Sequence, residues 1–288
     1  MTVVDLNKHN LQYCIEKYGA FATDKIENIL IDDNIKAVSI CTPNQTHYKI
    51  AKDCINSGKN VLVEKPLAMT IEEGRDLIEL AKDKNIILAV GHIFRYNNSI
   101  NKIKQMIDSY ELGNIRIIKL NWSNIEPLFV DRDVIFDLAP HPFDIINYLF
   151  NRNPDELSCI GNAFRRSRNK GSEAVFITGM LGDIILSIEL SWLTPPKTRS
   201  LVLVGSKKTA LVDCLNQKIH LVENGKYDNV QINPNNTIRD ELKNFLDCIK
   251  NKDNRNINDG HAGLDTLKMI EICQKSLKNK KTLKFEWV

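Results

Sequence analysis

Four short stretches hold the residue types that proton and hydride chemistry needs. The first is V-L-V-E-K-P, residues 61–66, where Glu64 and Lys65 leave an apolar strand. Pro66 bars Lys65 from the helical region, so the lysine side chain can project over the strand ends. Ligands bind outside the carboxyl ends of open parallel sheets, and an ammonium there can hold a hydroxyl and stabilise developing negative charge. A solvated lysine before a turn is the plain alternative. The second stretch is I-F-D-L-A-P-H-P-F-D-I, residues 135–145. Asp137 and His141 are four apart and Asp144 is three further on, so a helix would align all three along one face. A carboxylate near an imidazole orients it and tunes its pKa, as a general acid/base requires. Pro140 and Pro142 are comfortable only in a first turn, so the helix is expected to begin near His141. A histidine that merely caps a helix would leave the same pattern.

The third stretch is C-T-P-N-Q-T-H, residues 41–47. It predicts a capping box with Thr42 as N-cap, Pro43 at N1, then Asn44 and Gln45, and His47 in the first turn. Free N–H groups and a positive dipole end attract anionic or hydroxyl-rich ligands there. Capping alone accounts for Thr42 and Gln45 equally well. The fourth is V-G-H-I-F-R-Y-N, residues 90–97, which puts His92 and Arg95 where two regions of the chain meet. They are candidates for substrate contact or for an inter-domain brace.

The elements that carry these residues change character along the chain. Val3–Leu6, Ala37–Cys41, Asn60–Val63 and Ile86–Val90 read as short apolar strands. Helices are predicted between them, at residues 7–18 (closed by Gly19), at 24–31 with Asp24 as N-cap, and after Thr70-Ile71-Glu72-Glu73. Ala20–Thr23 is a further short strand. Alternating apolar strands and helices imply a parallel sheet covered on both faces. Beyond a helix at 97–110, β-branched runs dominate, at 115–122, 174–179, 184–192, 200–204, 210–213 and 218–222. Helices return at 237–250 and 263–277. That pattern predicts a largely antiparallel open sheet backed by a few helices. The stretch 165–171 reads as a solvated hairpin loop. The boundary falls near Tyr96, dividing the chain into 1–96 and 97–288.

The totals exclude several classes. With 288 residues, 43% apolar and 26% charged, the chain is a globular protein of about two domains. A net charge of +3 with no basic stripe argues against nucleic acid as a partner. Seven dispersed cysteines without C-x-x-C indicate buried thiols in a reducing compartment, and no zinc site or other metal centre is expected. No apolar run approaches 18 residues and no signal pattern opens the chain, so a cytoplasmic protein with no membrane partner is expected.

Taken together and in order, an acid-ended strand, T-P-N-x-x-H, E-K-P, G-H-x-x-R-Y and D-x-x-x-H resemble the glucose–fructose oxidoreductase / inositol dehydrogenase / MocA (Gfo/Idh/MocA) family. V-G-S-K-K-T-A-L-V-D and the stretch 258–283 extend the resemblance over nearly the whole chain. It implies a Rossmann-type α/β dinucleotide-binding domain, a second α+β domain for substrate and oligomerisation, and a homo-oligomer. The implied activity is NAD-dependent hydride transfer at a hydroxyl carbon of a sugar or sugar nucleotide, with NADP left open by Lys8. Residues 90–100 and 131–141 look most like the sugar-nucleotide branch, typified by UDP-N-acetylglucosamine 3-dehydrogenase. In the family's pattern Lys65 meets substrate and nicotinamide, often beside a cis bond before Pro66. His141 moves the hydroxyl proton and Asp137 supports it. Asp5, Thr42, Pro43, Asn44, His47 and Glu64 would line the cofactor, and His92, Arg95 and Asp144 the substrate. Pro142 stands where an acidic residue is expected.

Asp5 would then end the second strand of such a domain and hydrogen-bond the adenosine ribose. The resemblance further implies that the first strand, the G-x-G-x-x-G loop and the first helix are absent. No two glycines of this chain lie two apart, so the motif occurs nowhere in it. Two expectations follow. The chain is a dehydrogenase shown N-terminally truncated, or it is a catalytically silent relative serving as a sugar-binding or assembly module. The loss of a central strand should destabilise the fold, re-pair Val3–Leu6 with Ala37–Cys41, or draw in an edge from another chain. An apolar sheet face carrying Trp122 and Trp192 is expected to mediate self-association.

Overall fold

The computed structural model describes residues 1–129, 131–167, 171–251 and 254–285. Three sheets and nine α-helices are formed among them. The chain opens with β1 (Thr2–Val4), α1 (Lys8–Tyr18), β2 (Phe21–Thr23) and α2 (Glu27–Leu30). Asn7 caps α1 by accepting from the His9 N–H, and Gly19 closes it at φ 60°, a left-handed turn that glycine adopts without a steric penalty. Asp24 caps nothing, because α2 shrinks to one turn and starts after Ile26. Strands β1 and β2 pair in parallel as a two-stranded sheet.

A second parallel sheet, in the order β3-β4-β5, holds β3 (Ala37–Ile40), β4 (Asn60–Val63) and β5 (Leu88–Val90). Its crossovers are α3 (His47–Asn56) and α4 (Ile71–Asp83). Thr70 accepts from the Glu73 N–H, and the Glu73 carboxylate accepts from the Met69 N–H, so this predicted capping box forms one residue wider than expected. The expected re-pairing does not occur, since β1 and β3 belong to different sheets. The Lys36 and Ile40 carbonyls accept from the N–H groups of Asn60 on β4 and of Glu64 just beyond it. By the alternation of a strand, Ala37, Ser39 and Cys41 turn their backbone groups to the other side, where no described strand lies. Cys41 is exposed at the end of that open edge.

After α5 (Asn98–Asp108) the chain builds a nine-stranded sheet in the order β13-β12-β11-β10-β6-β9-β8-β7-β14. Its strands are β6 (Ile115–Ile125), β7 (Glu156–Asn162), β8 (Ala174–Leu181), β9 (Ile184–Ser191), β10 (Leu193–Gly205), β11 (Thr209–Asp213), β12 (Lys218–Glu223), β13 (Lys226–Val230) and β14 (Leu283–Lys284). All pairings are antiparallel except β6 with β9. The predicted loop at 165–171 joins β7 to β8, though residues 168–170 lie outside the described residues. Helices α6 (Val134–Leu138) and α7 (Pro140–Phe150) join α5 over one face, whose core includes Trp122, Phe143, Leu190 and Trp192. Both tryptophans are fully buried, which corrects the expectation that they sit on an open association face.

The last two helices return to the parallel strands. Phe245 of α8 (Thr237–Lys250) packs with Leu62 and Ala89. Gly263 of α9 (Gly260–Asn279) lies so close to Val90 and Leu67 that an added Cβ would sit 2.9 Å and 3.0 Å from them. The β3–β5 sheet is thereby sandwiched between its crossovers, joined by α9, on one face and α8 on the other. No helix among the described residues is long and apolar enough to cross a membrane.

Candidate active site at the ends of the parallel strands

Lys65 stands just past the end of β4, and its bond to Pro66 is cis. The side chain crosses to the other region, where Nζ donates to the Asp137 backbone carbonyl at 2.6 Å and lies 3.5 Å from its carboxylate. Burial pulls the lysine pKa down, while Asp137 and Glu64 oppose it. Asp137 is a hub. Its carboxylate also accepts from Trp192 Nε1 at 3.0 Å and lies 3.4 Å from Arg132 Nε. Arg132 in turn stacks on Phe129, and Phe129 packs edge-on against Trp192.

His141 is brought to the same place by α7. Two short helices meet at Ala139, because Pro140 begins α7 and neither Pro140 nor Pro142 has an N–H to continue the ladder. Asp137 therefore sits on α6 and His141 on α7. No hydrogen bond joins them among the described residues, which corrects the expected carboxylate–imidazole pair. His141 instead packs edge-on against Phe94 at 5.3 Å, and its Nδ1 is buried without a partner. Burial, then the charges of Lys65 and Arg199, hold the imidazole well below its usual pKa. The neutral ring leaves Nδ1 free to accept a proton, and its lowered pKa makes it a weak base that gives the proton up readily.

The remaining candidates divide. Arg95, His92 and Asp144 form an interior brace rather than a cleft surface. Arg95 donates to the Asp144 carboxylate at 2.7 Å, to the Ile257 carbonyl and to Asn147. His92 is 1% exposed, its Nδ1 lies 3.9 Å from Asp144, and burial lowers its pKa to about 4. His47 is fully buried, with ring nitrogens 2.8 Å from the Pro66 and Thr42 carbonyls, so it stitches the β3 exit to the Lys65–Pro66 turn. The predicted capping box at Thr42 does not form. Pro43 is extended (φ −56°, ψ 140°), a one-turn 3₁₀ helix follows at Asn44–Thr46, and the Thr42 hydroxyl accepts from Thr46. Asn44 is buried there, Thr42 half-buried and Pro43 exposed. Glu64 accepts from the Lys65 N–H and lies under Gly91, where a Cβ would come within 2.9 Å of its carboxylate. Asp5 follows β1 and accepts from the Asn7 N–H at 2.7 Å and Asn10 Nδ2 at 2.8 Å, which lowers its pKa. Trp192 and Arg199 lie more than fifty residues from Asp137 with no local motif, and Arg132, five residues before it, has no spacing that marks it as a site residue.

A Rossmann-type parallel sheet with a lysine at its carboxyl ends, facing an acid and an imidazole from a second sheet region, defines an NAD-binding oxidoreductase. Residues 1–92 match the family model described as "Oxidoreductase family, NAD-binding Rossmann fold", and residues 100–211 match the GFO/IDH/MocA C-terminal domain. The chain belongs to the Gfo/Idh/MocA family. It is 26% identical to UDP-N-acetylglucosamine 3-dehydrogenase of Acidithiobacillus ferrooxidans over 75% of this chain and 70% of that one. It is 25% identical to myo-inositol 2-dehydrogenase of Thermotoga maritima over 56% of this chain, and that match spans half the length of the Thermotoga enzyme. The solved structure of the Acidithiobacillus enzyme superimposes with a TM-score of 0.85 at 24% identity, over 96% of this chain and 89% of that one. An inositol dehydrogenase homolog from Azotobacter vinelandii, complexed with NADH and myo-inositol, gives 0.86 at 19% identity, over 98% and 88%. At these identities the superpositions establish the fold.

Proposed function

We propose that this chain moves a hydride between NAD and a hydroxyl-bearing carbon of a sugar or sugar nucleotide, in the manner of a UDP-N-acetylglucosamine 3-dehydrogenase. The observation that supports the reading is the contact of Lys65, just past β4, with Asp137 of α6, beside a buried His141 imidazole whose pKa the Lys65 charge helps to lower. NAD, when bound, supplies the acceptor for the hydride that leaves carbon. The protein residues handle the rest. Lys65, aimed by Asp137, holds the hydroxyl oxygen and stabilises the negative charge that develops on it. His141 takes the hydroxyl proton as the C–H bond breaks and returns it in the reverse direction. Asp137, fixed by Trp192 and Arg132, sets the position of the ammonium rather than the imidazole.

The residues fit the two ends of NAD. The ionised Asp5 suits a ribose diol and disfavours a 2′-phosphate, and Lys65 suits the nicotinamide end. The second reading is a module that binds sugar without turning it over. Titration calorimetry with NAD, followed by an NADH absorbance assay with UDP-N-acetylglucosamine and myo-inositol, separates the two. Turnover that falls roughly 10²–10⁴-fold in kcat on His141→Ala supports the enzyme. Turnover untouched by that change rejects His141 as the acid/base.

A further inference from the structure

Arg199 occupies a position where a strand should place an apolar side chain. Residues 199, 201 and 203 of β10 share one face, and their partners on β6 are Trp122, Leu120 and Ile118. Leu201, Leu203 and all three partners are buried in the core beneath the helices. The guanidinium therefore ends a row of leucine, isoleucine and tryptophan, and burial lowers its pKa against the pull of Asp137 and Glu126. The side chain is half-buried, and a partly desolvated cation favours a counter-charge. Among the described residues no carboxylate lies within ion-pair distance of it. Nη1 donates to two neutral carbonyls, Ser123 O at 3.0 Å and Thr198 O at 2.8 Å. Nε and Nη2 make no hydrogen bond among the described residues.

The surroundings place this unpaired cation next to the chemistry. Its strand partner Trp122 packs edge-on against Phe94 at 5.4 Å, and Phe94 packs against His141. Arg199 is also one of the charges that depress the His141 imidazole. Asp137 acts on it only from beyond ion-pair distance and is already in contact with Lys65 and Arg132. Two open nitrogens of one planar fork match a bidentate acceptor such as a phosphate or a carboxylate, and a sugar hydroxyl would leave the charge uncompensated.

We infer that Arg199 anchors an anionic group of the substrate, a phosphate or a carboxylate, with the rings of Trp122 and Phe94 linking it to His141, which with Lys65 holds the hydroxyl. The inference rests on the reading of this seam as a sugar site and narrows the substrate to a charged sugar. Calorimetric titration of the protein with UDP, glucuronate and N-acetylglucosamine tests it, and the first two probes tell phosphate from carboxylate. Wild type binds at least one anionic probe, and Arg199→Met weakens that binding roughly tenfold to a hundredfold while changing N-acetylglucosamine affinity less than about twofold. Arg199→Lys keeps the charge without the fork and falls between; if Arg199→Met fails to fold, this variant carries the test by the same selective loss. Equal losses for charged and neutral probes, an unchanged affinity, or wild type binding neither anion overturns the assignment. Anion binding that depends on Arg199, with no hydride transfer to or from any sugar, keeps Arg199 and discards the dehydrogenase.

Discussion

The covered face of the nine-stranded sheet leaves Trp122, Trp192 and Phe143 without contact with solvent, whereas helix α1 has no fully buried residue. Around α1, Leu6 is 88% exposed, Phe21 77% and Ile31 79%. Between these extremes lies the β3–β5 sheet, whose strands β4 and β5 are buried by α3, α4 and Leu267 of α9 on one face and by Phe245 of α8 on the other. The difference teaches where stability comes from. Burial of apolar area is the dominant favourable term, so the large sheet is the platform, the β3–β5 strands borrow from it, and the β1–β2 pair contributes least. The candidate site lies at the junction, with Lys65 supplied by the borrowed strands and its alignment supplied by the platform.

Substitutions can break or sharpen that contrast. The largest effect is expected in the platform, where Trp122→Ala should cost about 3–5 kcal/mol in denaturant unfolding. A loss below about 1 kcal/mol would mean the large sheet does not carry the fold. Next comes the borrowed layer, through Glu241 of α8. It is 3% exposed, accepts from Asn258 at 2.9 Å, and burial, with Glu64 nearby, raises its pKa to about 8. Between its usual 4.5 and 8 the native state holds a proton that the unfolded chain has released, so stability falls as pH rises through that window. Glu241→Gln keeps the acceptor and should flatten the fall, gaining roughly 1–3 kcal/mol at pH 8 and little at pH 5. Melting curves at the two pH values decide it. His92 gives the opposite slope, since its pKa of about 4 makes the unfolded chain the better proton binder up to 6.5.

A smaller effect is expected where α9 grips the strand. Gly263→Ala puts a methyl against Val90 and Leu67 and should cost about 1–3 kcal/mol, visible as a lower midpoint with an unchanged m-value. Smallest is Val4→Ala in half-buried β1, expected near 1 kcal/mol or less. Hydrogen exchange sharpens the same point. The Ala37 and Ser39 amides on the open edge should exchange far faster than those of Leu120 or Ile188, and equal protection would show that the edge is covered.

Much of this was legible because local chemistry decided it. The apolar runs at β3, β4 and β5, the Thr70 cap and the amphipathic α8 are each set by neighbours in sequence. Two misses have identifiable causes. β10 was read only from Ser200, because Pro195 and Pro196 at its start cannot donate to a ladder and mask an edge-like beginning. β7 (E-L-S-C-I-G-N) carries too few β-branched residues to stand out, and it forms because β8 pairs with it. At the site, Lys65 and His141 had motifs, but the partners of Asp137 did not. An i,i+4 spacing suggested His141. Trp192, 55 residues away, and Lys65, 72 residues away, took the carboxylate and carbonyl instead.

The exposed end of β3 also equips the protein with a chemical ruler. Five of its seven cysteines are buried and Cys14 is only partly accessible, so a thiol reagent meets Cys41 first. Its sulfur rests 3.7 Å from the Ser39 hydroxyl, and partial burial pushes its pKa up, so little thiolate is present at neutral pH and alkylation is slow. Anything that settles along the open edge, whether a strand or a ligand at the β3 exit, would slow it further. The labelling rate of this single native thiol therefore reads out what lies against the strand, without a tag or an engineered probe.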